Sequence, residues 1–281
     1  MDYKLATSTW DDKELKAIQQ VIDSNNFTMG EKVSKYEENF ANFFNSKHAL
    51  MTSSGSTANL LMIASLFFTK NKEHKISRGD EVIVPAVSWS TTYFPLQQYG
   101  LKVKFVDIDI DTLNFDLKAL KDSISDKTKL IFAVNLLGNP NNFKEISKII
   151  ENRSIILIED NCESMGAKFN NQFAGTFGLM GSFSSFFSHH ISTMEGGMIL
   201  TNDDELFHIL LTLRAHGWTR NLPIKNLVTG EKEDDEFKES FKFVLPGYNV
   251  RPLEMSGAIG LEQLKKLPNF LKQRIKNAEL F

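Results

Sequence analysis

An α/β architecture on a mostly parallel, doubly wound sheet is the fold class this sequence predicts, and three observations predict it. Short apolar runs rich in β-branched residues recur through the middle of the chain: Glu81–Val84 (EVIV), Val103–Val106 (VKFV), Leu130–Val134 (LIFAV) and Ile155–Glu159 (IILIE). Helical patterns lie between them, near Ser56–Phe68 and Phe143–Glu151. No internal repeat or low-complexity stretch interrupts the alternation. Continuously apolar strands are those covered on both faces, and strand–helix alternation is how a chain covers a parallel sheet. Ligands of such sheets bind at the carboxyl ends of the strands, so the residues just after each run are where chemistry is sought.

The bulk composition narrows the function classes. The chain of 281 residues is 42% hydrophobic and 24% charged, which suits one large globular domain or two modest ones. A net charge of -3 supplies no basic field for nucleic acid, although a small anion needs only a local nest of amides. The single cysteine, Cys162, excludes an internal disulfide and cannot alone hold a metal or an iron–sulfur cluster. The N-terminal stretch MDYKLATSTWDDKELKA lacks the basic start and apolar core of a signal peptide, and no apolar run approaches the ~20 residues of a membrane span. A cytoplasmic protein without nucleic-acid or membrane partners is expected. Glu231–Glu239 (EKEDDEFKE) reads as an exposed acidic loop. Asn269–Phe281 is a helical pattern with no stop signal, which predicts that more follows it in the full-length protein.

Candidate site residues cluster after the predicted strands. In Thr52–Asn59 (TSSGSTAN), a Gly–Ser–Thr turn opening a helix presents free N–H groups and the positive dipole end to a phosphate; taken alone, the segment reads rather as a plain helix cap at Ser56 or Thr57. After EVIV comes PAVSWSTTY, where Trp89 could stack on a flat ligand ring or serve as a core or interface residue. After IILIE comes EDNCES, with Asp160 at the strand end and Glu163 three residues on. A carboxylate there can keep a ring nitrogen protonated and so make the ring an electron sink, or it can cap a turn. Cys162, without a basic neighbour in sequence, reads as a small buried hydrophobe.

Gly181–Thr201 (GSFSSFFSHHISTMEGGMILT) holds adjacent histidines, His189 and His190, after a serine-rich approach and before a Gly–Gly. Neighbouring residues of an extended segment point in opposite directions and no third ligand is close in sequence, so metal binding is disfavoured. Asp107, Asp109 and Asp111 lack the glycine and terminal glutamate of a calcium loop and read as turn residues. Leu213–Asn221 (LRAHGWTRN) gathers Arg214, His216 and Arg220, and Gly247–Arg251 (GYNVR) adds Asn249 and Arg251. Both suit an anionic, hydroxyl-rich ligand, or an ordinary surface network.

Taken in this order, the segments resemble the DegT/DnrJ/EryC1/StrS family of nucleotide-sugar aminotransferases, from Thr28 to the end of the chain. The resemblance implies the aspartate-aminotransferase-like fold type I of pyridoxal-phosphate enzymes. It places a cofactor-binding large domain with an N-terminal arm over residues 1–250, and over 251–281 the start of a helical link to a smaller C-terminal domain that this chain lacks. It implies a homodimer. By position, Gly55, Ser56 and Ser184 would bind the cofactor phosphate, Trp89 would stack on the pyridine ring, Asp160 would contact the ring nitrogen and Glu163 the ring hydroxyl. Asn249 matches a residue that reaches the cofactor phosphate of the partner subunit, and Arg220 and Arg251 are the candidate contacts to the nucleotide sugar.

The family segment runs Ser-Phe-x-x-x-Lys and on to Glu-Gly-Gly. Here Ser184 stands five residues before His189, and Glu195 stands six after it, so His189 fills the lysine slot. Imidazole cannot hold the cofactor aldehyde covalently as lysine does, yet it can still move a proton near neutrality. The substitution resembles a branch of the family that dehydrates. The expected activity is removal of the C3 hydroxyl of a GDP-linked 4-keto-6-deoxyhexose in colitose and O-antigen biosynthesis. It would use pyridoxal 5′-phosphate, its pyridoxamine form and L-glutamate as amino donor, with His189 as the base and His216 as a second acid/base or a substrate contact. Another histidine-bearing branch carries a [2Fe–2S] cluster on several cysteines, which a single cysteine excludes. The competing expectations are a nucleotide-sugar aminotransferase, which needs a lysine in the slot, and a truncated cofactor-binding protein without turnover.

Overall fold

Short apolar strands assemble into a seven-stranded sheet with helices on both faces. The computed structural model describes residues 7–280; the first six residues of the polar N-terminal stretch, and Phe281, lie outside the described residues. In chain order the main elements are α1 (Asp12–Ser24), α2 (Glu31–Phe44), β1 (His48–Thr52), α3 (Gly55–Phe68), β2 (Glu81–Pro85), α4 (Ser90–Gln98), β3 (Lys102–Val106), α5 (Leu117–Ser123), β4 (Thr128–Val134), α6 (Phe143–Ile150) and β5 (Ile156–Asp160). A small hairpin, β6 (Lys168–Phe169) and β7 (Gln172–Phe173), precedes β8 (Met180–Ser184), β9 (Gly197–Thr201) and α7 (Asp204–Arg214). A second hairpin, β10 (Lys225–Asn226) and β11 (Gly230–Glu231), then leads to α8 (Glu236–Ser240) and α9 (Glu254–Ala278).

The sheet order is β1-β9-β8-β5-β4-β2-β3. The pairs β2–β3, β2–β4, β4–β5 and β5–β8 are parallel, and β9 runs antiparallel to both its neighbours. This is the mostly parallel sheet that the sequence predicts. The carboxyl ends of β1, β2, β3, β4, β5 and β8 therefore open on one edge, and six loops begin there.

Burial follows the period-two geometry of a strand. Leu130, Phe132, Ile156 and Ile158 face one way, into a core with α3 and α7. Ile131, Ala133 and Leu157 face the other way, against residues of α5 and α6. A third cluster packs Tyr36, Phe40 and Phe44 of α2 on Phe183, Met198 and Leu200, with Leu264 and Leu267 of α9 behind. Helix α3 buries residues on nearly all sides, consistent with its apolar sequence. The start of α2 is capped from a distance: buried Glu254, at the start of α9, accepts from the Gly30 and Lys32 N–H groups at 2.6 Å each. Free N–H groups of a helix start thus find a carboxylate from another helix.

Two expectations need correction. The VKFV run is not covered on both faces, because β3 is the edge strand and Phe105 is largely exposed. The acidic stretch 231–239 is not simply a loop: it contains the end of β11 and most of α8. Its Glu239 is buried, with a carboxylate oxygen accepting from the Glu233 N–H at 3.1 Å. The aspartates at 107–111 are turn residues as expected, with Asp109 accepting from the N–H groups of Asp111 and Thr112.

Candidate active site

The last residue of β5 anchors the cluster at the sheet edge. Asp160 is buried, and its carboxylate accepts three hydrogen bonds: from Asn59 Nδ2 and Thr92 Oγ1 on one oxygen, at 2.8 Å each, and from the Cys162 N–H on the other, at 3.1 Å. A carboxylate holding three donors is fixed in direction. Asn59 in turn accepts from Ser182 Oγ at 2.6 Å, so α3, α4, β5 and β8 are tied together around Asp160. Glu163 sits half-buried in the following turn and accepts from the Leu137 N–H at 3.2 Å. Burial and the neighbouring Asp160 carboxylate push the Cys162 thiol well above its ordinary range, so it is held as the inert thiol.

One face of this cluster is the turn between β1 and α3. Ser54 caps α3 by accepting from the Thr57 N–H at 3.1 Å, and Gly55 opens the helix. A Cβ on Gly55 would stand 2.8 Å from both the Ser184 Cβ and the Cys162 Sγ. Glycine is what lets the helix start approach the end of β8 this closely. Ser56 donates to Thr91 Oγ1 at 2.9 Å, linking the helix start to the first turn of α4, which follows the loop after β2. In that loop Trp89 is 70% exposed at the sheet edge, which removes the core-residue reading.

The loop between β8 and β9 carries the histidines and is closed at its neck. Ser185 donates its N–H to the Gly196 carbonyl and accepts from the Thr193 N–H, and the two hydroxyls lie 2.6 Å apart. Its far side is braced by the Trp10 indole N–H donating to the Ser192 carbonyl at 3.0 Å and by the Ser192 N–H donating to Gln263 of α9 at 3.1 Å. Within the loop His189 is half-buried. Burial lowers its imidazole pKa, more than the Glu163 and Asp160 carboxylates and the Cys162 carbonyl raise it. His189 is therefore a neutral imidazole with an available lone pair at pH 7, beside two carboxylates. His190 is pushed down to about 3 by burial, with Arg274 and His189 adding to the effect. Its Nδ1 is buried and unpartnered among the described residues.

The remaining candidates separate. Arg214 is not available to a ligand: it is buried and its Nη1 pairs with Glu37 of α2 and donates to the Met51 carbonyl at 2.8 Å. The reading of Arg214 as an anion contact is thus corrected, because the guanidinium is committed inside the fold. His216 stands at φ 62°, half-buried, with its ring 5.2 Å from that of Trp218, and Arg220 lies exposed over the Trp218 ring at 4.6 Å. Asn249 is exposed and accepts from Arg251 Nε at 3.0 Å. Segment 248–250 runs alongside 213–216, and the Val250 carbonyl accepts from the Ser53 N–H at 3.0 Å, so both arginine-bearing segments border the β1–α3 turn. Among the described residues no group of three or more His, Cys, Asp or Glu side chains is placed to hold a metal ion, and no helix is long and apolar enough to cross a membrane.

A model of the DegT/DnrJ/EryC1/StrS aminotransferase family matches residues 8–281. The chain belongs to this family. A GDP-4-keto-6-deoxy-D-mannose 3-dehydratase of Escherichia coli O55:H7 is 72% identical over all of this chain and 72% of its own length. A solved E. coli GDP-4-keto-6-deoxy-D-mannose-3-dehydratase with bound hydrated PLP superposes with a TM-score of 0.97 at 72% identity, covering 99% of this chain and 71% of that one. A structure of GDP-4-keto-6-deoxymannose-3-dehydratase with a trapped PLP-glutamate geminal diamine gives the same TM-score and identity over 99% of this chain and 72% of that one.

Seen as a DegT/DnrJ/EryC1/StrS protein, the chain also contains supporting residues that the sequence reading passed over. Asn59 and Thr92 hold Asp160 directly. Asn59 lies one helical turn after Gly55 and so on the same side of α3, a signal that the 3.6-residue period contains. Glu159 is wholly buried on the opposite face of β5 from Asp160. One oxygen accepts from the Phe177 and Gly178 N–H groups, and the other from the Gly175 N–H and Asn135 Nδ2, at 2.6 to 3.1 Å. Nothing local in the sequence marks it, because three of its four partners are backbone groups from a distant loop.

Proposed function

We propose that this chain is a pyridoxal-phosphate- and glutamate-dependent 3-dehydratase that removes the C3 hydroxyl of GDP-4-keto-6-deoxy-D-mannose. The observation that carries the reading is His189: a neutral, half-buried imidazole beside Asp160 and Glu163, where an aminotransferase of this family has its lysine. The cradle fits the cofactor. The bare Gly55 opens α3 against Ser184, an anchored carboxylate stands at Asp160, and Trp89 presents an exposed aromatic face at the same edge.

In this reading Gly55, Ser56 and Ser184 hold the cofactor phosphate at the start of α3, where the free amides and the dipole favour an anion. Trp89 covers the ring, Asp160 keeps the ring nitrogen protonated, and Glu163 meets the ring hydroxyl. When bound, the cofactor supplies an electron sink and, in its amine form, the group that engages the sugar ketone. His189 cannot bond the cofactor covalently, so its part is to move a proton, delivering one to the departing C3 oxygen of the sugar. Arg220 and Arg251 face the diphosphate of the nucleotide, and His216 either moves a second proton or orients the sugar. Asn249 is exposed, with Arg251 half-buried beside it, which suits a homodimer in which each copy completes the other's phosphate site.

The test is a spectrum of the protein with pyridoxal phosphate, before and after L-glutamate, followed by GDP-4-keto-6-deoxymannose with product mass spectrometry. The expected sequence is an aldehyde-type band, an amine-type band with 2-oxoglutarate released, then a 3-deoxy-4-keto sugar with ammonia. An aminated sugar would make the protein an aminotransferase. Cofactor that borohydride fixes covalently to the protein would overturn the part given to His189.

A further inference from the structure

A closed circuit of hydrogen bonds joins the phosphate-side turn to the two arginine-bearing segments. Strand β1 is an edge strand, and on its free side the backbone of Met51 is satisfied by side chains: its N–H donates to Glu37 Oε1 at 2.7 Å and its carbonyl accepts from Arg214 Nη1 at 2.8 Å. Unpaired edge groups need such partners when buried. Glu37 and Arg214 also pair with each other, with their side chains 14% and 3% exposed. Two residues past Met51, the Ser53 N–H donates to the Val250 carbonyl at 3.0 Å; the Val250 N–H donates to the Arg214 carbonyl at 3.1 Å; and the His216 N–H donates to the Tyr248 carbonyl at 2.6 Å. The path Met51–Ser53–Val250–Arg214 thus returns to Met51 through the Arg214 guanidinium. A turn that shifts to accept a phosphate cannot move without drawing on segments 213–216 and 248–250.

We infer that the buried Glu37–Arg214 pair is a positioning device that couples the phosphate-binding turn Ser53–Ser56 to the segments carrying His216, Asn249 and Arg251. Occupation of the cofactor site then sets the substrate-side segments before the nucleotide sugar arrives. This inference rests on the cofactor reading above. Neither residue touches a reacting atom, and both act through the backbone they hold. Replacing a buried ion pair by apolar residues of similar volume is often tolerated, whereas removing one partner leaves a stranded charge. The double variant Glu37→Leu/Arg214→Met therefore separates positioning from folding.

The experiment is residue-resolved hydrogen exchange on the full chain, with and without saturating pyridoxal phosphate. In the parent, the cofactor should slow exchange at Ser53 and Ser56, and also about tenfold or more at His216 and Val250. In the folded double variant, protection should stay at Ser53–Ser56 and be lost at His216 and Val250, while the KM for the nucleotide sugar rises more than kcat falls. Should that variant not fold, Glu37→Gln, which keeps an acceptor for the Met51 N–H but removes the charge paired with Arg214, carries the same comparison. Cofactor binding to the parent that leaves His216 unchanged overturns the coupling, as does a folded variant that transmits protection like the parent. A parent that shows no cofactor band at all overturns the cofactor reading and this inference with it.

Discussion

Substituting Gly55→Ala tests the phosphate cradle with the smallest possible change. The added methyl would sit 2.8 Å from the Ser184 Cβ, 2.8 Å from the Cys162 Sγ and 3.2 Å from the Ser184 Oγ. The Ser184 Cβ is one bond from the β8 backbone and cannot swing away, so α3 must retreat by roughly half an ångström to restore ordinary contact. Overpacking of this kind costs about 1–3 kcal/mol. Part is offset by the better helix propensity of alanine, worth up to about 1 kcal/mol. The net loss of stability should thus be small, about 0–2 kcal/mol in urea unfolding. The cradle responds more strongly, because its amides sit on the part that moves. If about 1.4 kcal/mol of the strain falls on the bound state, pyridoxal phosphate binds tenfold more weakly. The assay is a cofactor titration followed by absorbance. Adding Cys162→Ala to Gly55→Ala should recover part of the affinity by clearing one of the two contacts. An affinity within twofold of the parent for Gly55→Ala would refute the claim that the cofactor phosphate is held where α3 meets Ser184.

Three further outcomes follow from the same geometry. Asp160→Asn leaves one amide oxygen to serve three donors and removes the charge proposed to keep the ring nitrogen protonated; turnover should fall by about 10²-fold or more with an unchanged far-UV spectrum, and a loss under threefold would sink the role. In an NMR titration of the cofactor-free protein, His189 should charge below the usual 6.5, because burial dominates its environment. A folded-state value depressed in this way contributes stability that is present above 6.5 and lost as the pH falls; a midpoint above 6.5 would contradict it. Gly217→Ala should cost about 3 kcal/mol or more, since φ is +85° and a Cβ would run into the Leu245 carbonyl oxygen, displacing the strand-like contact in which Val244 N–H donates to the Gly217 carbonyl at 2.8 Å; a change within 1 kcal/mol would show that the turn can open freely.

Much of the frame was legible because it is written in local periods. EVIV, LIFAV and IILIE alternate faces along parallel strands, and the helix after TSSGST is apolar on nearly every side, so both the sheet and its binding edge could be read. Asp160, Gly55, Ser184 and Trp89 could be placed at one edge from the sequence because each ends a strand or borders a helix start, and such positions meet at one edge in a parallel sheet. Arg214 was misread for a physical reason. An arginine near His216 and Arg220 looks like part of an anion site, and only the fold reveals that α2 delivers Glu37 to it from 177 residues away. Glu159 was invisible for the converse reason, since three of its four partners are backbone N–H groups that any non-proline residue carries.

The electrostatics of the edge explain how histidine can stand in a lysine's place without becoming a mere structural residue. A buried lysine would also lose charge, but it would then be a primary amine poised to capture an aldehyde. Imidazole loses its charge by the same desolvation and keeps only the ability to take and return a proton. The surroundings enforce this division. Glu163 and Asp160 favour the imidazolium once a proton arrives, but burial outweighs them, so His189 rests neutral and its charged form is only partly assisted by the neighbouring carboxylates. Next to it, Cys162 is held protonated by the same Asp160 and by burial, and His190 is held uncharged down to about 3, so neither neighbour competes as nucleophile or base-pair partner for the incoming proton. On the proposed reading, a single base beside an anchored carboxylate suits dehydration: the proton must leave carbon and reach a departing oxygen, while the protein itself stays uncoupled from the cofactor.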